Sequence, residues 1–272
     1  MTERIARFGK GDNLLGIFTD PDPAVRRADA PAILWLNAGT LHHVGPFGWY
    51  VTMARRFAEL GFVSLRFDLA GIGDSPATGE PTNILDGALE DVHEAIELVV
   101  RSRQVERVIL VGLCSGAVLA HHAALRDPRV AGAIFFDGIG YKTPGFHLRH
   151  YGPRLLKGSA WIGTAARLVK KATGQATAKP ELLAESFFFD FPSKEQARAD
   201  LAVLLRRGTR LLFLYTGGVR EEYFNHRDQF AEMFGDFGTD RVEVEYWPDA
   251  DHLYADLEWR RTMFGRVEQW MK

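Results

Sequence analysis

The stretch VGLCSGA, residues 111–117, closes the apolar run RVILVGL (107–113) and opens the small-residue helical pattern SGAVLAHHAALRD (115–127). A strand that turns directly into a helix and presents a nucleophile at the turn has the form G-x-nucleophile-x-G. The chain bends too sharply there for side chains two residues either side of the apex. Gly112 and Gly116 bracket Cys114, whereas centring the pattern on Ser115 would crowd Leu113 and Ala117. The frame therefore selects the cysteine, and the helix dipole at such a turn favours a thiolate. A small buried residue at a strand end would account for the cysteine but not for the two framing glycines.

Working outward, apolar runs alternate with amphipathic ones along most of the chain, the pattern of a mostly parallel sheet flanked by helices in an α/β protein. AILWLN (32–37), FVSLRFDL (62–69), VAGAIFF (130–136), RLLFLY (210–215) and RVEVEYW (241–247) read as further strands, and residues 1–19 as an antiparallel opening. Helical patterns cover 46–61, 83–102, 225–235 and 257–272. Between residues 139 and 208 no strand intervenes, which is too long for a plain loop and predicts a helical cap insertion. The expected division is a core of residues 1–138 and 209–272 with a cap of residues 139–208.

The insertion is also lopsided in charge. From Ile139 to Pro180 there is no Asp or Glu, but Lys142, Arg149, Arg154, Lys157, Arg167, Lys170, Lys171 and Lys179 lie there. The stretch SFFFDF (186–191) reads as packing between cap and body, or as a wall for an apolar acyl group.

The strand–GLCSG–helix unit, the glycine-bearing turn in LNAGTLHH, DLAGIGDS after the next strand and a late DADH together resemble the α/β-hydrolase superfamily, in its order, over most of the chain outside the insertion. The cysteine at the elbow resembles the variant found in dienelactone hydrolases and polyhydroxyalkanoate synthases. The resemblance implies that His252, after the last strand, is the general base. It further implies an oxyanion hole of backbone N–H groups from Gly39 or Thr40 together with Ser115. The acid has two candidates. The superfamily usually carries it after RLLFLY, where Glu221 is the nearest, but some members take it from the earlier strand, which here ends in Asp137. Asp137 is preferred, because a carboxylate ending a buried strand needs a partner.

The expected function is a Cys114–His252–Asp137 triad that cleaves or transfers an acyl group from an ester or thioester, the acyl group being free, bound to an acyl carrier protein or linked to coenzyme A. The rival readings are acyltransferase or eliminating-lyase chemistry on the same scaffold, and a non-catalytic binding protein. No cofactor is implied, and no histidine pair shows the spacing and carboxylate company of a metal site.

The 272 residues suit one large domain with an insertion, and their 46% hydrophobic and 25% charged content is ordinary for a globular protein. A net charge of −2 gives no reason to expect nucleic acid, and no apolar run has the length of a membrane span. With no signal-peptide-like start and a single cysteine, the expected location is cytoplasmic.

Overall fold

The computed structural model describes residues 1–77, 83–155 and 189–272. Eight strands form one sheet in the order β1-β2-β4-β3-β5-β6-β7-β8. They are β1 (Thr2–Phe8), β2 (Leu14–Asp20), β3 (Ala32–Trp35), β4 (Ser64–Phe67), β5 (Val108–Leu113), β6 (Val130–Phe136), β7 (Arg210–Thr216) and β8 (Val242–Trp247). β1 pairs antiparallel with β2, and β2 with β4; from β4 to β8 every pairing is parallel.

Seven helices accompany the sheet among the described residues: α1 (Trp49–Glu59), α2 (Ile84–Arg103), α3 (Ser115–Arg126), α4 (Pro144–Leu155), α5 (Lys194–Arg206), α6 (Gln229–Phe234) and α7 (Leu257–Met271). The period of two along the central strands divides the core into two layers. Leu34, Leu110, Ala133, Phe135, Leu211 and Phe213 face one layer with residues of α2, α3, α5 and α6. Ile33, Trp35, Ile109, Val111, Ile134, Phe136, Leu212 and Leu214 face the other, with α1 and α7. Both faces of the sheet are thus covered, which is why these strands read as continuous apolar runs rather than alternating ones.

This is the α/β-hydrolase fold that the resemblance implied. All parallel strands run the same way, so their carboxyl ends lie along one edge, where the loops after β3, β5, β6, β7 and β8 meet. Two helices of the expected insertion, α4 and α5, are described; residues 156–188, which hold most of the basic run and Phe187 and Phe188, lie outside the described residues. No helix of the described residues is long and apolar enough to cross a membrane.

Candidate active site

The turn from β5 to α3 puts Cys114 at φ 57° and ψ −120°, a backbone conformation that L-residues rarely adopt. The close approach around it explains both glycines. A Cβ on Gly112 would run into the Gly116 carbonyl, and one on Gly116 into the Asn37 carbonyl at the end of β3. Cys114 N–H is held by the Phe136 carbonyl of the neighbouring strand at 2.9 Å. No side chain caps the N-terminus of α3, so its first N–H groups stay available at the apex. Cys114 itself is half-buried.

Asp137 ends β6 at φ 44°, with its carboxylate fully enclosed. Its Oδ2 lies 2.7 Å from His252 Nδ1 and accepts from Thr216 Oγ1 at 2.6 Å, while Oδ1 accepts from Thr216 N–H at 2.6 Å. The Tyr223 hydroxyl donates to the Asp137 carbonyl at 2.7 Å, which ties down the strained backbone from the loop after β7. The Asp137 contact ties His252, in the loop after β8, to the end of β6. Burial pulls the His252 pKa down, but its hydrogen bonds to Asp137 and Cys114 and the Asp137 charge outweigh this and carry it up to about 10. The imidazolium, the form the base reaches once it has taken a proton, is therefore stabilised in place.

Of the two candidate acids, Asp137 is the one at hydrogen-bond distance from His252. Glu221 instead lies 3.5 Å from His150 Nδ1 on α4. Asp251, next to the base in sequence, turns its carboxylate to the N–H groups of Leu253 and Ala255 and so shapes the loop that carries His252.

Sequence reasoning missed Thr216 and the glycines after it. Thr216 stands at the end of β7, where the superfamily more often places the acid itself. A Cβ on Gly218 would lie 2.7 Å from His252 Cβ, so the TGG run is what lets the base approach. The dipeptide at the end of an apolar strand was the available signal, but it does not show which loop will pack against it.

The turn after β3 holds Gly39 (φ 56°) and Thr40 above the elbow. Gly39 N–H donates to Ser115 Oγ at 2.7 Å, which joins this turn to the start of α3. Asn37 ties the same turn to Asp68 and to the Leu41 carbonyl, each at 2.8 Å. The expectation that the histidines of this turn lack carboxylate company does not hold in three dimensions: Asp68 and Asp74 reach His43 and His42 from the loop after β4. Sequence adjacency could not show this, because the carboxylates come from a different strand end.

In the described part of the basic run, Arg149 pairs with Glu232 of α6 at 2.8 Å, and Lys142 lies 5.9 Å from the centre of the Phe146 ring. The side chains of Arg154, Lys157, Arg167, Lys170, Lys171 and Lys179 lie outside the described residues. Of the phenylalanine stretch, Phe189 packs on the core and Phe191 meets Tyr141 and Tyr223 edge-on, so packing accounts for both.

Residues 29–216 match the model of a protein family described as serine aminopeptidase, S33. No curated protein matches the chain. Among solved structures, it is similar to the α/β-hydrolase GrgF of Penicillium sp. sh18, at 16% identity and a TM-score of 0.62 over 100% of this chain and 98% of that one. An α/β serine hydrolase homologue from Coxiella burnetii shares 16% identity at a TM-score of 0.57, covering 98% of each chain. An esterase of Pyrococcus furiosus shares 13% at 0.62, covering 98% of this chain and 90% of that one.

The family match corrects the assignment made from the elbow. The matched family is one of serine enzymes, so the chain is not placed among the cysteine-dependent variants, and the Cys–His–Asp triad with a cysteine nucleophile is not supported. The physical reason is that two glycines frame a position and its backbone geometry, and they say nothing of whether a family works through sulfur or oxygen there. The chain belongs to the S33 serine aminopeptidase family and is a hydrolase built on the α/β-hydrolase fold.

Proposed function

We propose that the protein hydrolyses a small-molecule ester or thioester at the elbow, with His252 as general base and Asp137 as the acid that orients it. The observation that carries this reading is the 2.7 Å contact between His252 Nδ1 and Asp137 Oδ2 at the carboxyl edge of the sheet. The scissile carbonyl sits against position 114, the apex where a serine enzyme of this fold holds its hydroxyl. His252 takes a proton from a water whose oxygen bonds to the carbonyl carbon, and returns it to the alkoxide or thiolate that leaves as its bond to that carbon breaks; Asp137 keeps the ring in the orientation and tautomer this needs. The charge that develops on the carbonyl oxygen falls to the backbone N–H groups of Ser115 and Thr40, since Gly39 N–H is engaged by Ser115 Oγ. Water is the final acyl acceptor.

The finer form of the proposal is an acyl group delivered on an anionic carrier, supported by the acid-free basic run from Ile139 to Pro180, with the enzyme in the cytoplasm.

Chromogenic short-chain esters and thioesters test the reading. His252→Ala should reduce hydrolysis to near background with melting temperature little changed; wild-type rates in that variant would overturn it. Cys114→Ser restores the residue type of the family to the apex. It should become labelled by a serine-directed fluorophosphonate in a manner that depends on His252, and absence of His252-dependent labelling would show that the elbow does not present its side chain to the base.

A further inference from the structure

Four metal-ligand side chains outside the proposed machinery converge beside the turn that carries Gly39 and Thr40. They are His42 and His43 after β3, and Asp68 and Asp74 after β4, and their ligand atoms all lie within 4.8 Å of one another. His43 Nδ1 stands 2.7 Å from Asp68 Oδ2, His42 Nε2 3.0 Å from Asp74 Oδ2, and His42 Nε2 3.5 Å from Asp68 Oδ2. Ligand atoms around a tetrahedral zinc at about 2.0–2.2 Å lie roughly 3.3–3.5 Å apart, so the closest pair, at 2.7 Å, must open by about 0.6–0.8 Å, and pairs as far apart as 4.8 Å must close by about 1.3 Å.

The buried half of the cluster is braced. Asp68 Oδ1 accepts from Asn37 Nδ2 and from His43 N–H, at 2.8 and 2.7 Å, and Oδ2 accepts from Asp74 N–H at 3.1 Å. Such outer contacts orient a ligating carboxylate. The other half reaches solvent, with His42 36% and Asp74 56% exposed at the side chain, which leaves a path in and room for a water ligand. Between them, a Cβ on Gly73 would collide with Asp68 Oδ2 and lie 2.8 Å from His42 Cδ2, so the glycine keeps the hollow open. Two imidazole nitrogens with two carboxylates suit zinc and its transition-metal neighbours, whereas calcium and magnesium take oxygen ligands.

We infer that His42, His43, Asp68 and Asp74 form a binding site for one divalent transition-metal cation of the zinc class, a structural brace for the turn after β3. The site joins the ends of β3 and β4, and the cation's charge offsets the two carboxylates. It takes no part in the hydrolytic steps, so its test does not depend on the proposed function.

Protein stripped with a chelator is titrated with zinc chloride by calorimetry, with melting temperatures measured in parallel. The comparison is made in a Cys114→Ala background, which removes the chain's single thiol as a competitor for zinc. That protein should bind one equivalent, and saturating zinc should raise its melting temperature by about 5 °C. Adding His42→Ala and Asp74→Ala should weaken binding by roughly 100-fold or more and abolish the rise. His42→Gln, which keeps a donor toward Asp74, should fold as the parent and still lose zinc affinity. Failure of the Cys114→Ala protein to bind zinc, or undiminished binding in the His42 variants, would overturn the inference.

Discussion

The turn that ends β5 and the cluster at the ends of β6 and β7 lie side by side on one edge of the sheet, but they are built in different ways. At the elbow, the crowding partners of the two glycines are the Gly116 carbonyl, four residues from Gly112, and the Asn37 carbonyl next to it in space. One of these contacts lies within the turn and the other reaches the end of β3, but both are steric and each demands a glycine, so the constraint leaves a mark in seven residues of sequence. The Asp137–His252 contact joins residues 115 positions apart, with Thr216 donating from a third loop. Hydrogen bonds between loops of different strands impose no spacing on the chain. Geometry decides that pair, and spacing alone cannot.

The largest effect should come from the cluster. Asp137→Asn leaves the shape of the site almost intact but removes the charge that orients and stabilises the imidazolium, so kcat should fall by about 10⁴-fold. A rate within a few-fold of wild type would mean that the acid lies elsewhere. Thr216→Val should act through the same carboxylate more mildly. It removes the 2.6 Å hydroxyl donor from a fully buried group, with an expected loss of about 1–3 kcal/mol in stability and a drop in kcat with KM little changed. Denaturant midpoints and steady-state kinetics separate the two.

The elbow should answer in the opposite sense, through stability first. Gly116→Ala forces a methyl against the Asn37 carbonyl and should cost roughly 1–3 kcal/mol, a few degrees of melting temperature in a chain of this size. A variant as stable as wild type would show that the approach of α3 to β3 is looser than the structure has it.

The smallest effect is in the pH dependence. His252 is raised from an ordinary 6.5 to about 10, so folding is favoured by its proton. That contribution is complete below pH 6.5 and is lost as pH rises toward and through 10. The stability advantage of wild type over His252→Gln should accordingly shrink between pH 6.5 and 10, and an advantage that grows over that range would contradict the pairing.

Much of the architecture was readable from local pattern, because both causes are short-range. The continuous apolar runs at 107–113, 130–136 and 210–215 reflect strands covered on both faces, and the glycine frame reflects one contact within the turn and one against the neighbouring strand end. His252 was legible once the order of elements was known, since its loop follows the last strand. Glu221 and Asp137 each follow a central strand, and the sequence favours Asp137 only because a carboxylate ending a buried strand needs a partner. Only the packing of β6 beside β7, with Thr216 turned toward Asp137, placed one carboxylate on the imidazole and left the other near His150.

The sequence by itself therefore determined the layered sheet, the sharp turn framed by Gly112 and Gly116, and the place of His252 after the last strand, as consequences of periodicity, sterics and the order of elements. It did not determine which chemistry the elbow serves, and the reading of a cysteine-dependent family was corrected by the match of residues 29–216 to a family of serine enzymes. Nor did it show that Asp68 and Asp74 meet His42 and His43, or that Thr216 and the glycines after it make room for the acid and the base. Those contacts join the ends of strands that are far apart in the chain and adjacent in the sheet, and only the tertiary structure brings such ends together.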